Sequence, residues 1–184
     1  MYTLQIVDTA TAWSERVAIL GRSGRAVSIG LDKVLQRLPF EVKQLYLDNG
    51  PEFFNDHLIR YFGEEITGMK LWRSRGFTRT IIEWWSYVGQ CRRLNEIYEL
   101  MWKYYNVFQP VLQLVQKSYE TGKLKSKWDE AKTPYQRLKD TKVLSEDTQA
   151  RLDKLYRETN PRQLREQIYK LLCGLWYVQR DTQR

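Results

Sequence analysis

The chain has few of the residues that build metal clusters and disulfide frameworks. Among its 184 residues there are two cysteines, Cys91 and Cys173, and a single histidine, His57. This composition rules out a Cys/His zinc cluster of the usual kind within the chain, and it favours a reducing compartment. We expect both cysteines to be buried thiols.

Long hydrophobic runs are also lacking. No apolar run reaches the roughly 18 residues that a transmembrane helix needs. The start of the chain, Met1-Tyr2-Thr3, lacks the basic residues that open a secretory signal. The sequence therefore predicts a cytoplasmic protein that does not contact a membrane.

Acidic residues are outnumbered by basic ones. Thirty Lys and Arg against 22 Asp and Glu give a formal net charge of +8. Such a surplus favours a polyanionic partner such as DNA, although a basic surface that serves solubility explains the charge equally well. A chain of this length can hold one domain with a core, or a smaller domain with a helical extension.

The first half of the chain alternates between strand and helix patterns. Two short apolar runs separated by a polar turn predict a hairpin, and Pro39 is expected to end the helix that follows. The predicted strands span residues 2–8, 16–20, 42–47 and 69–73, and the predicted helices span 23–38 and 51–62. Alternating strands and helices of this kind indicate an α/β sheet.

The second half has mainly helical patterns. Apolar residues at spacings of three and four, from Leu94 to Tyr105, predict a core stripe, with stacking on bases as the alternative. Ser145 and Asn160 are expected to cap helices over 145–159 and 161–176. Between these parts, lysines surround Gly122 in an apparently irregular stretch, which we interpret either as a linker that contacts phosphates or as a solvated loop. These lysines are Lys117, Lys123, Lys125, Lys127 and Lys132.

The stretch from Leu45 to Phe54 is the most informative part of the sequence. Its apolar alternation stops at Asp48-Asn49-Gly50 and is followed by a helix pattern. A strand that ends in Asp presents a carboxylate at the carboxyl edge of a sheet, where open α/β sheets hold their sites. Asp48 is therefore the first metal-ligand candidate, and a simple turn is the alternative interpretation.

Several segments together carry a family resemblance. They are Thr3–Glu15, Leu38–Phe40, Asp48–Phe53, Arg73–Arg75, Leu94–Tyr98, Asn106–Pro110, Lys132–Leu138 and Asn160-Pro161. These segments resemble the integrase catalytic core of bacterial insertion-sequence transposases and retroviral integrases, known as the DDE-type family, and segments that follow this core in one transposase group. Nearly the whole chain is covered, apart from residues 76–90.

The resemblance implies an incomplete ribonuclease H-like core, a mixed sheet with flanking helices, in residues 1–90. Residues 91–184 would form an α-helical extension of transposase type. We expect the family's first strand to be missing and the sequence of its catalytic helix to be disrupted. The family performs DNA transposition and integration by phosphoryl transfer, with three carboxylates that hold two Mg²⁺ ions. Its partners would be DNA, both transposon ends and target, and either a second copy of the chain or an intact transposase.

The three family carboxylates map unevenly onto this chain. Asp48 matches the second position. Asp8 belongs to a Val-Asp-x-x-Thr-x-Trp pattern whose Asp usually closes a hairpin, so a structural role competes with a role as the first ligand. Glu83 follows Asp48 by 35 positions, the spacing of the third ligand. However, the family pattern here is Asn-Asp-Asn, two further residues and then Val-Glu-Gln-Lys-Asn, and none of those polar residues appears around Glu83. Trp84 and Trp85 stand directly beside it instead.

A frameshift is our hypothesis for this departure. Residues 78–86 can be encoded so that another reading frame gives Gln-Asn-Asp-Asn-Arg-Val-Val-Glu, which restores the Asn-Asp-Asn pattern and a Val-Glu pair. The frame would return before Gln90. The ancestral catalytic Glu would then be encoded here but out of frame.

Three functional interpretations follow from these observations. The first is a transposase or integrase fragment that is catalytically inactive as it stands. The second is an active DNA strand transferase that uses Asp8, Asp48 and Glu83. The third is a non-catalytic basic protein that binds DNA or an intact transposase.

Overall fold

The chain has a mixed α/β fold in which strands pair in twos. The structure is a computed structural model, and it describes residues 1–47, 58, 60, 61, 70–73, 88–120 and 123–181. The strands are β1 (Tyr2–Val7), β2 (Ser14–Ile19), β3 (Gln44–Leu47), β4 (Lys70–Arg73), β5 (Leu114–Glu120) and β6 (Lys123–Trp128). The helices are α1 (Gly24–Leu35), α2 (Val88–Lys103), which continues into a π-helical turn (Tyr104–Phe108), α3 (Pro134–Asp140), α4 (Glu146–Glu158) and α5 (Pro161–Asp181).

The chain divides into two compact units. Unit 1 comprises residues 1–6, 15–99 and 171–184, and unit 2 comprises residues 7–14 and 100–170. The division into residues 1–90 and 91–184 that the resemblance implies stays a prediction. None of the helices in the described parts of the chain is long and apolar enough to cross a membrane.

Unit 1 is built around a hairpin covered by a helix. The predicted hairpin is confirmed, because β1 pairs with β2 and strands this close in sequence can pair only antiparallel. Helix α1 crosses it at Gly30, where an added Cβ would lie 2.8 Å from the Ile19 Cγ2 atom. The buried core comprises Leu4, Val17, Ile19, Val27, Leu31, Val34, Leu45, Leu47, Leu58 and Tyr61.

The predicted helix after the hairpin is confirmed but is shorter than expected. Ser23 caps α1, since its hydroxyl accepts the Ala26 N–H at 3.2 Å. The helix ends at Leu35, with Gln36 as its C-cap, whereas the sequence predicts an end at Pro39. The last predicted turn, residues 36–38, is therefore outside the helix.

Helix α2 is anchored to β2 by a side-chain amide. Asn95 accepts the Ala18 N–H at 2.8 Å and donates to the Ala18 carbonyl at 3.1 Å. Such a pair replaces the two hydrogen bonds that a neighbouring strand would make with this residue. Along the predicted core stripe Ile97 is buried, but Tyr105 is exposed. The prediction that both cysteines are buried is correct for Cys91 and wrong for Cys173.

Unit 2 contains the loop that connects β1 and β2. Trp13 is buried in it, and its ring centroid lies 6.2 Å from that of Trp102. Asn106, which is fully buried, accepts the Ser14 N–H at 2.8 Å and donates to the Ser14 carbonyl at 2.9 Å. An amide therefore satisfies the backbone of β2 in this unit as well.

The predicted irregular linker around Gly122 is wrong. Strands β5 and β6 form an antiparallel hairpin, with Lys117 opposite Ser126 and Tyr119 opposite Leu124. Only residues 121 and 122 separate the two strands, which is a spacing typical of a tight hairpin. Residues 91–184 therefore contain a hairpin in addition to the helices that the sequence predicts.

The helices at the end of the chain follow their predicted caps. The Ser145 hydroxyl accepts the Thr148 N–H at 3.3 Å, and the Asn160 side chain accepts the Arg162 N–H at 3.0 Å. Helix α3, which the sequence analysis did not predict, opens with a capping box. The Thr133 hydroxyl accepts the Gln136 N–H at 3.1 Å, and the Gln136 side chain accepts the Thr133 N–H at 2.9 Å.

Candidate functional site

The predicted strand before Asp48 is confirmed but is shorter than expected, since β3 spans Gln44–Leu47 and the prediction was 42–47. Strand β3 ends at Leu47 and pairs in parallel with β4, with Leu47 opposite Arg73. Both strands therefore end at the same edge, the one where open α/β sheets hold ligands. Asp48 itself lies outside the described residues, as does Glu83, so their roles as metal ligands stay predictions.

Asp8 lies in the turn between β1 and β2. Its Oδ2 atom accepts the Thr11 N–H at 2.8 Å and the Thr11 hydroxyl at 2.6 Å. Its backbone N–H donates to the Trp13 carbonyl at 2.8 Å, and its carbonyl accepts the Ala12 N–H at 2.8 Å. These are the hydrogen bonds that a turn-closing aspartate makes, and they occupy one of the two carboxylate oxygens.

A metal centre was a further expectation from the sequence. Within the described parts of the chain, no group of three His, Cys, Asp or Glu side chains is placed to hold a metal ion. Two of the three candidate carboxylates fall outside those parts. Magnesium binding therefore stays a prediction.

The hairpin formed by β5 and β6, which we call the ribbon, has one polar face that is rich in lysine. Cross-strand partners and alternate residues lie on the same face of a sheet. The register pairs Lys125 with Ser118 and Lys127 with Gln116, and it pairs Lys123 with Glu120 near the tip. Three lysines of β6 therefore share a face, and every residue of this strand is exposed.

The opposite face of the ribbon is largely apolar. It carries Tyr119, Leu124 and Trp128 together with Lys117 and Ser126. Tyr119 is 80% exposed and Trp128 is 54% exposed. The two faces thus differ in chemistry, although both are open to solvent.

Arg137 of α3 fixes the base of the ribbon. Its guanidinium forms an ion pair with Asp129, which directly follows β6. It also donates to the Gln113 side chain at 3.2 Å, next to the start of β5, and to the Val111 carbonyl at 2.9 Å. Because one planar group binds residues before β5 and after β6, the two ends of the ribbon are held together.

Backbone hydrogen bonds continue below the ribbon. Val111 and Lys132 form an antiparallel bridge, with N···O distances of 3.0 and 3.3 Å. The Gln113 N–H donates to the Asp129 carboxylate at 2.7 Å, and the Gln113 side chain donates to the Ala10 carbonyl at 3.1 Å. The Arg137 guanidinium and the Gln113 N–H together lower the pKa of the Asp129 carboxyl. The carboxylate at the ribbon base therefore stays charged well into acid.

A second polar contact holds α3 to α4. The Tyr135 hydroxyl donates to Asp153 at 2.7 Å, and the Lys139 ammonium lies 3.0 Å from the same carboxylate. The Tyr135 hydroxyl and Lys139 lower the pKa of Asp153, whereas burial first and this hydrogen bond second raise the pKa of Tyr135. These contacts hold α3, the helix that carries Arg137, against α4.

The sequence analysis missed the ribbon and the residues that anchor it. Residues 123–128 alternate between lysine and other residues, which is a period-two pattern typical of a strand. The Thr133-x-x-Gln136 capping box was equally visible as the start of a helix. Nothing in the local sequence, however, indicates that Arg137 contacts residues 24 to 26 positions earlier.

Comparisons with known proteins add little to this description. No family model matches the chain, and no solved structure matches it. One similar protein is y4rM of Sinorhizobium fredii, described as an uncharacterized protein. It is 25% identical over an alignment of 131 positions, which covers 63% of this chain and 37% of that protein. The chain thus spans little more than a third of this relative, and the match assigns neither a family nor a function.

Proposed function

We propose that the chain is a fragment of a DDE-type transposase or integrase catalytic core with a ribonuclease H-like fold. The observation that supports this proposal best is the parallel pairing of β3 with β4, which brings the position before Asp48 to the carboxyl edge of two strands. In the family that the sequence resembles, the second metal-binding Asp occupies this place. The family role is DNA integration by Mg²⁺-dependent phosphoryl transfer.

As it stands, the fragment is catalytically inactive in this proposal. Two-metal phosphoryl transfer needs carboxylates that converge from separate elements, because both the attacking and the leaving oxygen must be stabilised. Asp48 is the one carboxylate in a matching sequence context. Asp8 is engaged by Thr11 in a turn, and Glu83 lacks the polar neighbours of the family's third ligand.

A strand-joining assay tests the inactivity directly. The chain would be incubated with short labelled DNA duplexes and Mg²⁺ or Mn²⁺, and the products separated on denaturing gels. We expect no nicked or joined product, from either the chain or its Asp48→Asn variant. Metal-dependent products that vanish in Asp48→Asn would contradict the proposal and favour an active strand transferase that uses Asp8, Asp48 and Glu83.

DNA binding without chemistry is the second candidate function. The net charge of +8 and the exposed lysines of the ribbon favour it. Such a protein would bind DNA with an affinity that falls steeply with salt, or it would bind an intact transposase. This function is compatible with the first, since an inactive core fragment can still contact the DNA of its family.

A further inference from the structure

The ribbon extends into solvent with no apolar core of its own. Every residue of β6 is exposed, and Tyr119 on β5 is the most exposed of the chain's described large hydrophobic residues. An isolated two-stranded hairpin is only marginally stable in water. Here the Arg137 contacts and the bridge from Val111 to Lys132 hold the two ends of the ribbon together at its base.

The spacing of the lysines suits a charged polymer. Alternate residues of an antiparallel strand are about 6.8 Å apart, so the Cα atoms of Lys123, Lys125 and Lys127 lie along a line of about 14 Å. Each DNA strand advances about 3.4 Å per nucleotide, so this line covers roughly four nucleotides. Long lysine side chains adapt to the curvature of the backbone.

We propose that the lysine face of β6 binds the phosphate backbone of duplex DNA without reading its sequence. This inference rests on the proposed function for the choice of DNA as the polyanion. Lysine ammonium groups act as point charges, and contacts to phosphates position a protein on DNA but carry no base information. The apolar face, with Tyr119 and Trp128, does not take part in this contact.

The test compares two triple variants that lose the same three charges. One carries Lys123→Gln, Lys125→Gln and Lys127→Gln on the ribbon. The control carries Lys33→Gln, Lys154→Gln and Lys170→Gln, at exposed positions on α1, α4 and α5. Binding to a fluorescent 25-base-pair duplex of arbitrary sequence is measured by anisotropy between 50 and 200 mM salt.

We expect the ribbon variant to bind DNA more weakly and with a weaker dependence on salt. The reason is that it lacks three phosphate contacts, each of which releases counterions when the intact chain binds. The slope of log K against log salt should become shallower by roughly 2 to 3. The affinity of the intact chain should therefore fall about 40-fold more across this salt range than that of the ribbon variant. The control variant should keep the slope of the intact chain, and a ribbon triple of Lys→Arg substitutions should restore binding.

Several results would overturn the proposal. These are an intact chain that does not bind the duplex, equal losses in the ribbon and control variants, and a loss caused by Tyr119→Ser instead of by the lysine substitutions. If the Gln variant is less stable by circular dichroism, the single Lys127→Gln substitution replaces it. Strand joining by the intact chain would refute inactivity and leave this inference standing, so the two failures are distinguishable.

Discussion

The two antiparallel hairpins in the described parts of the chain have similar lengths and opposite surroundings. The hairpin of β1 and β2 has one face in the core of unit 1, where Leu4, Val17 and Ile19 pack with α1. The ribbon of β5 and β6 has exposed residues on both faces and is held at its base by polar contacts. Burial explains why the first hairpin forms. It does not explain the second, whose lysines on one face form the surface that we propose contacts DNA.

Truncation of a core side chain should have the largest effect on stability. Leu31 of α1 is fully buried, so Leu31→Ala removes its packing and leaves a cavity. We expect a loss of about 3 kcal/mol in the free energy of unfolding, or roughly 10 °C in Tm. Calorimetry and urea titration would measure it.

The matched control is Leu124→Ala on the ribbon, where the side chain is about half exposed. This substitution should change the free energy of unfolding by less than about 0.5 kcal/mol. A loss comparable to that of Leu31→Ala would show that the ribbon has a hydrophobic partner, and the contrast between the two hairpins would then be wrong.

Removal of the ribbon anchor should have the next largest effect. Arg137→Gln breaks the ion pair with Asp129 and the contacts with Gln113 and Val111. Because this guanidinium is largely buried, the loss in the free energy of unfolding should be about 2 kcal/mol, and hydrogen exchange at the ribbon amides should accelerate.

The control is Arg162→Gln, which breaks only an exposed pair with Glu166 and should cost less than about 0.5 kcal/mol. Equal costs for the two variants would argue against the anchor.

Acid should weaken unit 2 through the carboxylates beside α3. The folded-state pKa values of Asp129 and Asp153 are lowered, so their contribution is fully present above the unfolded value of about 3.9 and is lost as the pH falls through the folded values. Tyr135→Phe removes the donor to Asp153 and should flatten the fall of Tm below pH 4. The raised pKa of Tyr135 has the opposite effect on the pH dependence of stability. Its contribution is fully present below the unfolded value of about 10 and is lost as the pH rises through the folded value. A Tm profile that is unchanged in Tyr135→Phe at both ends would contradict these assignments.

Local signals in the sequence predicted much of the fold. Ser23, Ser145 and Asn160 mark helix starts because each side chain accepts a backbone N–H of the first turn. The strand before Asp48 was predicted from its apolar alternation, and a further strand was predicted over residues 69–73. The structure pairs the two strands in parallel.

Contacts between distant residues could not be predicted in the same way. Asn95 and Asn106 lie in segments that carry the family resemblance, but their hydrogen bonds to Ala18 and Ser14 span 77 and 92 residues. The ribbon was missed for a different reason. Its lysines were interpreted as part of an irregular linker or a solvated loop, although they follow the period-two pattern of an exposed strand. The metal-site prediction fell on Asp48 and Glu83, outside the described residues, and stays a prediction.

A comparison of two single substitutions on the ribbon tests the central claim most directly. Lys127 lies on the lysine face and Lys117 on the opposite face, so Lys127→Gln and Lys117→Gln remove the same charge from the same hairpin. In salt-dependent anisotropy with a DNA duplex, Lys127→Gln should make the slope of log K against log salt shallower by about 0.9, whereas Lys117→Gln should leave it unchanged. Equal changes in the two slopes, or a larger change for Lys117→Gln, would contradict the assignment of DNA binding to the lysine face.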